Sequence, residues 1–460
     1  MQSWSILSYF IKLIKIKPVC KVAHKFGVIL FAIFASGIYI LYSLNSILTK
    51  ESGNMQFDYD VIIVGGGPSG ATCALYAKRH GLRVLLVDKK KFPRDKICGD
   101  AISGKSVTYL RELDLLDKLE ARPQVRSNSV TFSSPNGTVV TIPFTPPSAE
   151  RQSYGYVCRR EVFDDVLFKE AQQQVETMEA FAVTDLVLKN GQVQGIVGNN
   201  GTTASKTITA KIVVGADGYN SIISRKLGFY EHDPLHWVVA TRAYYRSVTD
   251  MTDAIEIHFV RDILPGYFWI FPLENNMVNV GLGMLHSEIK RRNLSLRKAH
   301  IAATESDFFR KRFEHAELIG DISGWNLPMG SKKRKVHGDG FILLGDAAGL
   351  IDPFSGEGIG NGMCSGKIAA EVLARVCKGE KYDATSLAAY ETQLWERLWP
   401  ELNMSYTLQK IGRFQPLLNL VVGRAARNKE VRDWIAGMMA GTQSKESMRS
   451  PLTYLKLLFK

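Results

Sequence analysis

Three kinds of apolar run follow one another along the chain. The first, residues 27–44 (GVILFAIFASGIYILYSL), is apolar or small throughout and carries no charge. The second kind is short and continuous: Val61–Val64, the stretch Arg83–Val87, VVG at 213–215 and FILL at 341–344. Runs of this length bounded by glycine predict parallel strands buried on both faces. The third kind fills 237–285. WVVATRAYYRSV, AIEIHFV, GYFWIFP and MVNVGLGM are β-branched and aromatic, with turn residues between them. They predict consecutive strands of an antiparallel sheet. In GYFWIFP (266–272), Tyr267, Trp269 and Phe271 alternate with Phe268 and Ile270, and Pro272 closes the run. Such a strand either lies between two hydrophobic layers or uses one face to roof a cavity for an apolar ligand. After Pro400 the composition is helical, ending in PLTYLKLLFK, apolar with two lysines.

The 460 residues suffice for two domain-sized units. The pattern divides them into an N-terminal basic and hydrophobic membrane segment (1–54), a central α/β unit (55–400) with interleaved substrate-domain pieces at about 120–150 and 225–335, and a helical tail (401–460). At helical rise, 27–44 just covers a bilayer core of about 30 Å. IKLIKIKPVCKVAHK before it is basic, so the segment reads as a signal anchor or a membrane-surface segment, with a buried core helix as the alternative. The formal charge is +13; residues 1–50 hold six lysines and no acid, leaving +7 on the remainder. That surplus suits an anionic membrane surface or a phosphorylated ligand, and no nucleic-acid-binding motif accompanies it. The six cysteines form no CxxC pair, so no metal site is expected, and the chain is large enough to need no disulfide framework.

Chemistry enters with the glycines. Gly65-x-Gly67-x-x-Gly70 follows the run Val61–Val64; a helical stretch to about Gly81, the strand Arg83–Val87 and Asp88 come next. Gly65 allows the tight turn, Gly67 lets a pyrophosphate approach the backbone, and Gly70 lets helix and strand pack closely. The helix N-terminus offers N–H groups and positive dipole, and Asp88 is placed for ribose hydroxyls. Two later stretches point to FAD rather than NAD. VVGADGYNS (213–221) is a strand ending in Asp217-Gly218. FILLGDAAGLIDPFSGEGIGNGM (341–363) is a strand, then Gly345-Asp346, then a glycine-rich loop feeding a helix. Asp346 can accept from ribityl hydroxyls, and a helix dipole near the loop would stabilise a reduced, anionic flavin.

With these features the chain resembles the FAD-dependent group that contains the aromatic hydroxylases, and more narrowly the geranylgeranyl reductase family. The narrower likeness rests on Pro93-x-x-Lys96-x-Cys98-Gly99 and on Tyr267-x-Trp269-x-Phe271-Pro272. It covers about residues 57–400. It implies an FAD-binding doubly wound sheet, an antiparallel substrate-domain sheet and a helical C-terminal region; the N-terminal hydrophobic helix expected from the apolar run at 27–44 precedes them. It places FAD contacts at Ser69, Asp88, Cys98, Gly99, Ala101, Arg160, Val183, Asp346, Gly358 and Ile359. There is no second GxGxxG unit, so NAD(P)H or an electron carrier would serve as a transient donor.

The resemblance implies reduction of isolated double bonds in a polyprenyl chain of a lipid, quinone or diphosphate, by hydride from reduced flavin and a proton. Tyr267, Trp269, Phe271 and Pro272 would then line the prenyl channel, where aromatic faces stabilise developing positive charge and a dry wall excludes water. Cys98 has two readings: a cysteine packed in a turn, or a catalytic thiol that supplies a proton or tunes the flavin. Lys96 is expected in solvent or paired with Asp95 or Asp100. A monooxygenase or halogenase on the same frame, and a non-catalytic prenyl-binding flavoprotein, are the alternative functions. The catalytic unit is expected on the cytoplasmic face of a membrane, where soluble reductants are. The positive-inside rule alone would send everything after residue 50 across, a conflict that a start at Met55 or a re-entrant or interfacial segment removes.

Overall fold

The computed structural model describes residues 56–144, 154–201 and 204–439. The hydrophobic segment expected at 27–44 and the end of the tail lie outside them. Among the described residues no helix is long and apolar enough to cross a membrane.

The continuous apolar runs become the centre of an eight-stranded sheet. Its main order is His337–Gly338, Phe341–Leu343, Lys206–Gly215, Tyr59–Val64, Val84–Val87 and Glu176–Met178. Tyr59–Val64 pairs in parallel with Lys206–Gly215 on one side (Val61 opposite Ile212) and with Val84–Val87 on the other (Ile62 opposite Leu85). Val61, Ile62 and Ile63 are fully buried, as strands covered on both faces must be. The helices Pro68–Arg79, Arg160–Gln174 and Ile359–Val376 pack beside this sheet and share its core. A hairpin, Ala182–Lys189 and Gln192–Asn199, extends Lys206–Gly215 antiparallel.

The β-branched and aromatic segments form a second, seven-stranded sheet. Its order is Glu317–Pro328, Trp237–Arg246, Met277–Leu285, Tyr267–Pro272, Ile255–His258, Ser129–Ser133 and Val139–Pro143. It departs from the expected purely antiparallel sheet at one place. Ile255–His258 runs parallel to Ser129–Ser133, because the latter arrives from a distant part of the chain and no hairpin dictates its direction. The two faces of Tyr267–Pro272 have different fates. Phe268 and Ile270 pack with Val280, Leu282 and Phe309 in a closed core. Trp269 and Phe271 face the other way, with Val157 and Ala240.

The boundary expected after Pro400 falls inside the helix Ala384–Ile411, which carries Pro400 within it. The helices Gln415–Arg427 and Lys429–Met439 follow, and Val422, Ala425 and Val431 cover the strands Ser129–Ser133 and Val139–Pro143.

Candidate active site

One cavity of about 1560 Å³ runs from the first glycine loop to the aromatic strand. Pockets for single drug-sized ligands typically measure about 300–1,000 Å³, so there is room for a dinucleotide and part of a second molecule. All the residues expected at the site line it except Gly70 and Pro272. Gly70 is a packing residue: a Cβ there would sit 1.9 Å from the Gly65 carbonyl oxygen. Pro272 ends the strand.

At the first end, Gly65 has φ +107° and turns the chain into the helix Pro68–Arg79. That helix begins at Gly67 with no capping side chain, so its first N–H groups are left for an anion. A Cβ on Gly67 would meet nothing nearer than an Arg94 guanidinium nitrogen at 3.6 Å. Asp88 braces the loop: one carboxylate oxygen accepts from the Gly66 N–H (2.8 Å) and the other from the Lys90 N–H (2.8 Å). The acid placed for a ribose thus also holds the glycine turn, and each oxygen keeps a lone pair. The open backbone, the uncapped helix and the acid fit the adenosine and pyrophosphate of FAD.

Further along, Asp217 accepts from the Ile222 N–H (2.7 Å) through one oxygen, and its other oxygen is buried with no partner. Burial pushes its pKa up, against hydrogen bonds from Ser221 and Ile222. Gly358 precedes the helix Ile359–Val376, again without a capping side chain. Val183 lines the cavity from the added hairpin. Asp346 meets Lys96 Nζ at 3.2 Å, which corrects the expectation for Lys96. Its two expected partners are engaged elsewhere: Asp95 accepts from Arg242 (2.6 Å) and Asp100 from Tyr244 (2.8 Å) and Asn279 (2.7 Å). Lys96 instead ties the Cys98 turn to a loop 250 residues away.

The Cys98 turn is held from three sides. Arg160, almost fully buried, grips Asp164 with two hydrogen bonds (2.6 and 2.7 Å), and Arg94 reaches the same carboxylate (2.7 Å). Burial opposes ionisation of Asp164, but the two guanidiniums hold its pKa below the usual carboxylate range. Removing one partner from so buried a pair typically costs about 3–5 kcal/mol. The Arg160 guanidinium also lies near the Cys98 side chain. Gly99 lies against the aromatic strand: a Cβ there would come within 3.2 Å of the Phe271 ring and 3.6 Å of Trp269 Nε1.

Between turn and strand runs a buried polar chain. Trp269 Nε1–H donates to Asn279 Oδ1 (2.9 Å). The Asn279 amide donates to the Cys98 carbonyl (2.8 Å) and to Asp100 Oδ2 (2.7 Å), where the Tyr244 hydroxyl also arrives. Sequence reasoning missed Asp100, Asn279, Tyr244 and Arg242. Asn279 and Tyr244 stand in strands that read as hydrophobic, and Asp100 next to Cys98-Gly99 was the one available signal. Beyond the network the wall turns apolar: Tyr267, Trp269, Phe271, Leu327, Met404 and Leu408 line that end. The Tyr267 hydroxyl donates to the Ser355 carbonyl (2.7 Å) and closes the wall onto the 352–358 loop.

Among the described residues no group of His, Cys, Asp or Glu is arranged to hold a metal ion. Residues 58–400 match the FAD binding domain family. The menaquinone reductase of Mycolicibacterium smegmatis is 34% identical over 68% of this chain and 76% of its own. The digeranylgeranylglycerophospholipid reductase of Methanocella arvoryzae is 30% identical over 78% of this chain and 88% of its own. A geranylgeranyl bacteriochlorophyll reductase-like structure from Thermoplasma acidophilum superposes with a TM-score of 0.72 at 24% identity, covering 85% of this chain and 98% of that one. A flavin-dependent brominase superposes with a TM-score of 0.70 at 22% identity over 86% and 99%. The glycine loop, the two later acids and the Cys98 turn all lie within the matched residues, and the chain is a member of the FAD binding domain family, in its geranylgeranyl reductase branch.

Proposed function

We propose that this protein is an FAD-dependent oxidoreductase that saturates isolated double bonds in the polyprenyl chain of a lipid or quinone. The single observation that carries this reading is the continuity of the cavity: the frame that suits FAD opens directly onto a wall of Tyr267, Trp269 and Phe271 with aliphatic neighbours. The substrates named for the relatives, menaquinone and digeranylgeranylglycerophospholipid, have in common a polyprenyl tail, which such a wall would accept.

Bound FAD, once reduced, supplies a hydride equivalent to one carbon of the double bond. The protein does the rest. The uncapped helix at Gly67 and the loop at Gly358 orient the cofactor, with Ser69, Asp88, Asp217 and Asp346 available to its polar groups. Lys96 and Arg160 fix the Cys98 turn. The aromatic face positions the chain, excludes water and favours positive charge developing on a substituted carbon, by about 0.5–2 kcal/mol for each well-placed ring. NAD(P)H or a reduced carrier reaches the cofactor transiently. The basic surplus of the sequence and the lipid character of the substrate support a reading in which the enzyme works at a membrane surface.

The test is mass spectrometry of lipid extracts from cells with and without the gene, joined to turnover of purified protein with each candidate lipid. A gain of two hydrogens per bond, without oxygen consumption, is expected. Turnover that consumes oxygen and adds oxygen or halogen to the product would replace this reading with the monooxygenase or halogenase one.

A further inference from the structure

The end of the helix Ala384–Ile411 joins two environments. Met404 and Leu408 line the cavity. One turn beyond Leu408, about 5 Å along the axis, Ile411 is 42% exposed, and Phe414 after it is 63% exposed. The Phe414 N–H donates to the Ile411 carbonyl (3.0 Å), so these two residues bracket one tight turn. Pro416 and Leu420, four residues apart in the helix Gln415–Arg427, are exposed as well, while Val422 and Ala425 of that helix are buried. Gly412 within the turn and Gln409 before it line a narrow crevice of about 50 Å³. Tyr267, Trp269 and Phe354 line that crevice too, and the large cavity with it.

Single exposed apolar residues are ordinary; a cluster rimmed by charge of one sign marks an interaction site. Residues 402–429 contain Lys410, Arg413, Arg424, Arg427 and Lys429 and no Asp or Glu. Lys410 lies over the Tyr406 ring at 3.9 Å, and among the described residues neither it nor Arg413 is ion-paired. Glu288, which is within electrostatic reach of Arg413, is already held by Arg291 (2.7 Å) and Arg292 (3.5 Å).

We propose that this turn is where the protein docks on an anionic lipid bilayer, with Ile411, Phe414 and Leu420 entering the acyl boundary and Lys410, Arg413 and Arg427 meeting lipid phosphates. The docking stands on the surface itself. That a bilayer-held polyprenyl substrate is taken up here, beside the apolar end of the cavity, rests on the reductase reading. Charge selects the occupant. A second copy docked through the same face would set two copies of Lys410 and Arg413 against each other across a twofold axis. Residues 440–460 carry four cations and one acid, so the chain's own end brings no complementary charge. An anionic bilayer does, at about fivefold in affinity for each Lys or Arg near it, and it accepts apolar side chains at headgroup depth.

The test uses the full chain loaded with FAD, mixed with vesicles of phosphatidylcholine or of phosphatidylglycerol, and follows amide hydrogen exchange by mass spectrometry. The readout is local, so attachment of the hydrophobic segment at 27–44 to the same vesicles does not obscure it. Phosphatidylglycerol should slow exchange across residues 408–421, and phosphatidylcholine should not. With Lys410→Gln and Arg413→Gln combined, the vesicle concentration that gives half of this protection should rise about 25-fold; with Phe414→Ser it should rise about tenfold. None of these side chains lines the cavity. Turnover of digeranylgeranylglycerophospholipid or menaquinone in detergent should therefore keep its wild-type kcat, while the same lipid in phosphatidylglycerol vesicles shows a raised KM. Vesicles that leave 408–421 exchanging as before overturn the proposal, and so does equal protection by both vesicle types. Protection of 408–421 without lipid overturns it too: if it grows with protein concentration a second copy covers the turn, and if it is constant the chain covers itself. Wild-type protein that turns over neither lipid in either form overturns the reductase reading and the uptake route with it, while protection by phosphatidylglycerol would still establish the docking.

Discussion

At one end the cavity is lined by Gly65, Gly67, Pro68 and Ser69, and a single turn of backbone sets their positions. At the other end its wall is held by residues 98–100, 242–244, 269 and 279, four segments that meet only because the turn at 98–100 lies against the seven-stranded sheet that carries the other three. The glycine loop works through the absence of side chains and leads into a helix whose first turn has no capping side chain. The far wall works through side chains, each fixed by another. Tolerance of change should differ accordingly. A substitution in the loop acts on whatever lies in the cavity, and one in the wall acts on the protein first.

The largest effect expected is at Gly67. Its φ of −71° suits any residue and its Cβ direction is open, so Gly67→Leu costs the fold little. The leucine would fill the space where a pyrophosphate must approach the backbone. The purified variant should be folded by circular dichroism and colourless. A full flavin spectrum would place the dinucleotide elsewhere and erase the contrast between the two ends.

Trp269→Ala tests the wall. Trp269 is 7% exposed and bonded to Asn279; truncating so large a buried ring typically costs about 3–5 kcal/mol. Trp269→Phe separates the parts, because it keeps most of the apolar area and loses the N–H, leaving Asn279 Oδ1 short of a donor at about 1–3 kcal/mol. If the strand roofs the substrate space, both variants bind FAD and are reduced by dithionite as wild type is, and reoxidation by a prenyl lipid is slow. If it is core alone, every activity falls in step with stability. Urea titration beside stopped-flow absorbance distinguishes these outcomes.

The same contrast governs what could be read from the sequence. The parallel strands, the glycine loop and the placing of Asp88, Asp217 and Asp346 on one cavity were legible because each motif is local and its glycines have few other uses in that order. The alternation of Tyr267, Trp269 and Phe271 correctly split the strand into two faces, since side-chain period fixes that whatever the partners are. Which face met a cavity was not in the pattern. Nor was the partner of Lys96, 250 residues away, the parallel pairing of Ile255–His258 with Ser129–Ser133, or the continuation of a helix through Pro400. A polar residue in a hydrophobic strand, such as Asn279, looks like an interruption until the donor and acceptor beside it are known.

The smallest effect expected is also the one that weighs burial against charge at the wall. Asp100 titrates near 7 in the folded protein if burial wins and near 3.9 in the unfolded chain. Below about pH 4 both states carry the proton and the residue makes its full contribution. Between about pH 4 and about pH 7 the native protein keeps a proton the unfolded chain has lost, so stability falls as pH rises, by at most about 1.4 kcal/mol per unit. Above about pH 7 the loss is complete. Asp100→Asn has no such proton. Between about pH 5 and about pH 6.5 its unfolding free energy should therefore fall by about 2 kcal/mol less than that of the wild type. Asp164 and Glu256, with lowered pKa values, and Asp217 and Glu357, with raised ones, also tilt the curves. They are present in both proteins and cancel in the difference, being outside the substituted group's hydrogen bonds. Urea titrations at saturating FAD over this range measure the gap directly. Parallel curves would mean that Arg242 and Arg160 keep Asp100 ionised despite its burial, and the far wall would then be held by charge, as the Arg160–Asp164 pair is, rather than by a neutral hydrogen-bonded acid.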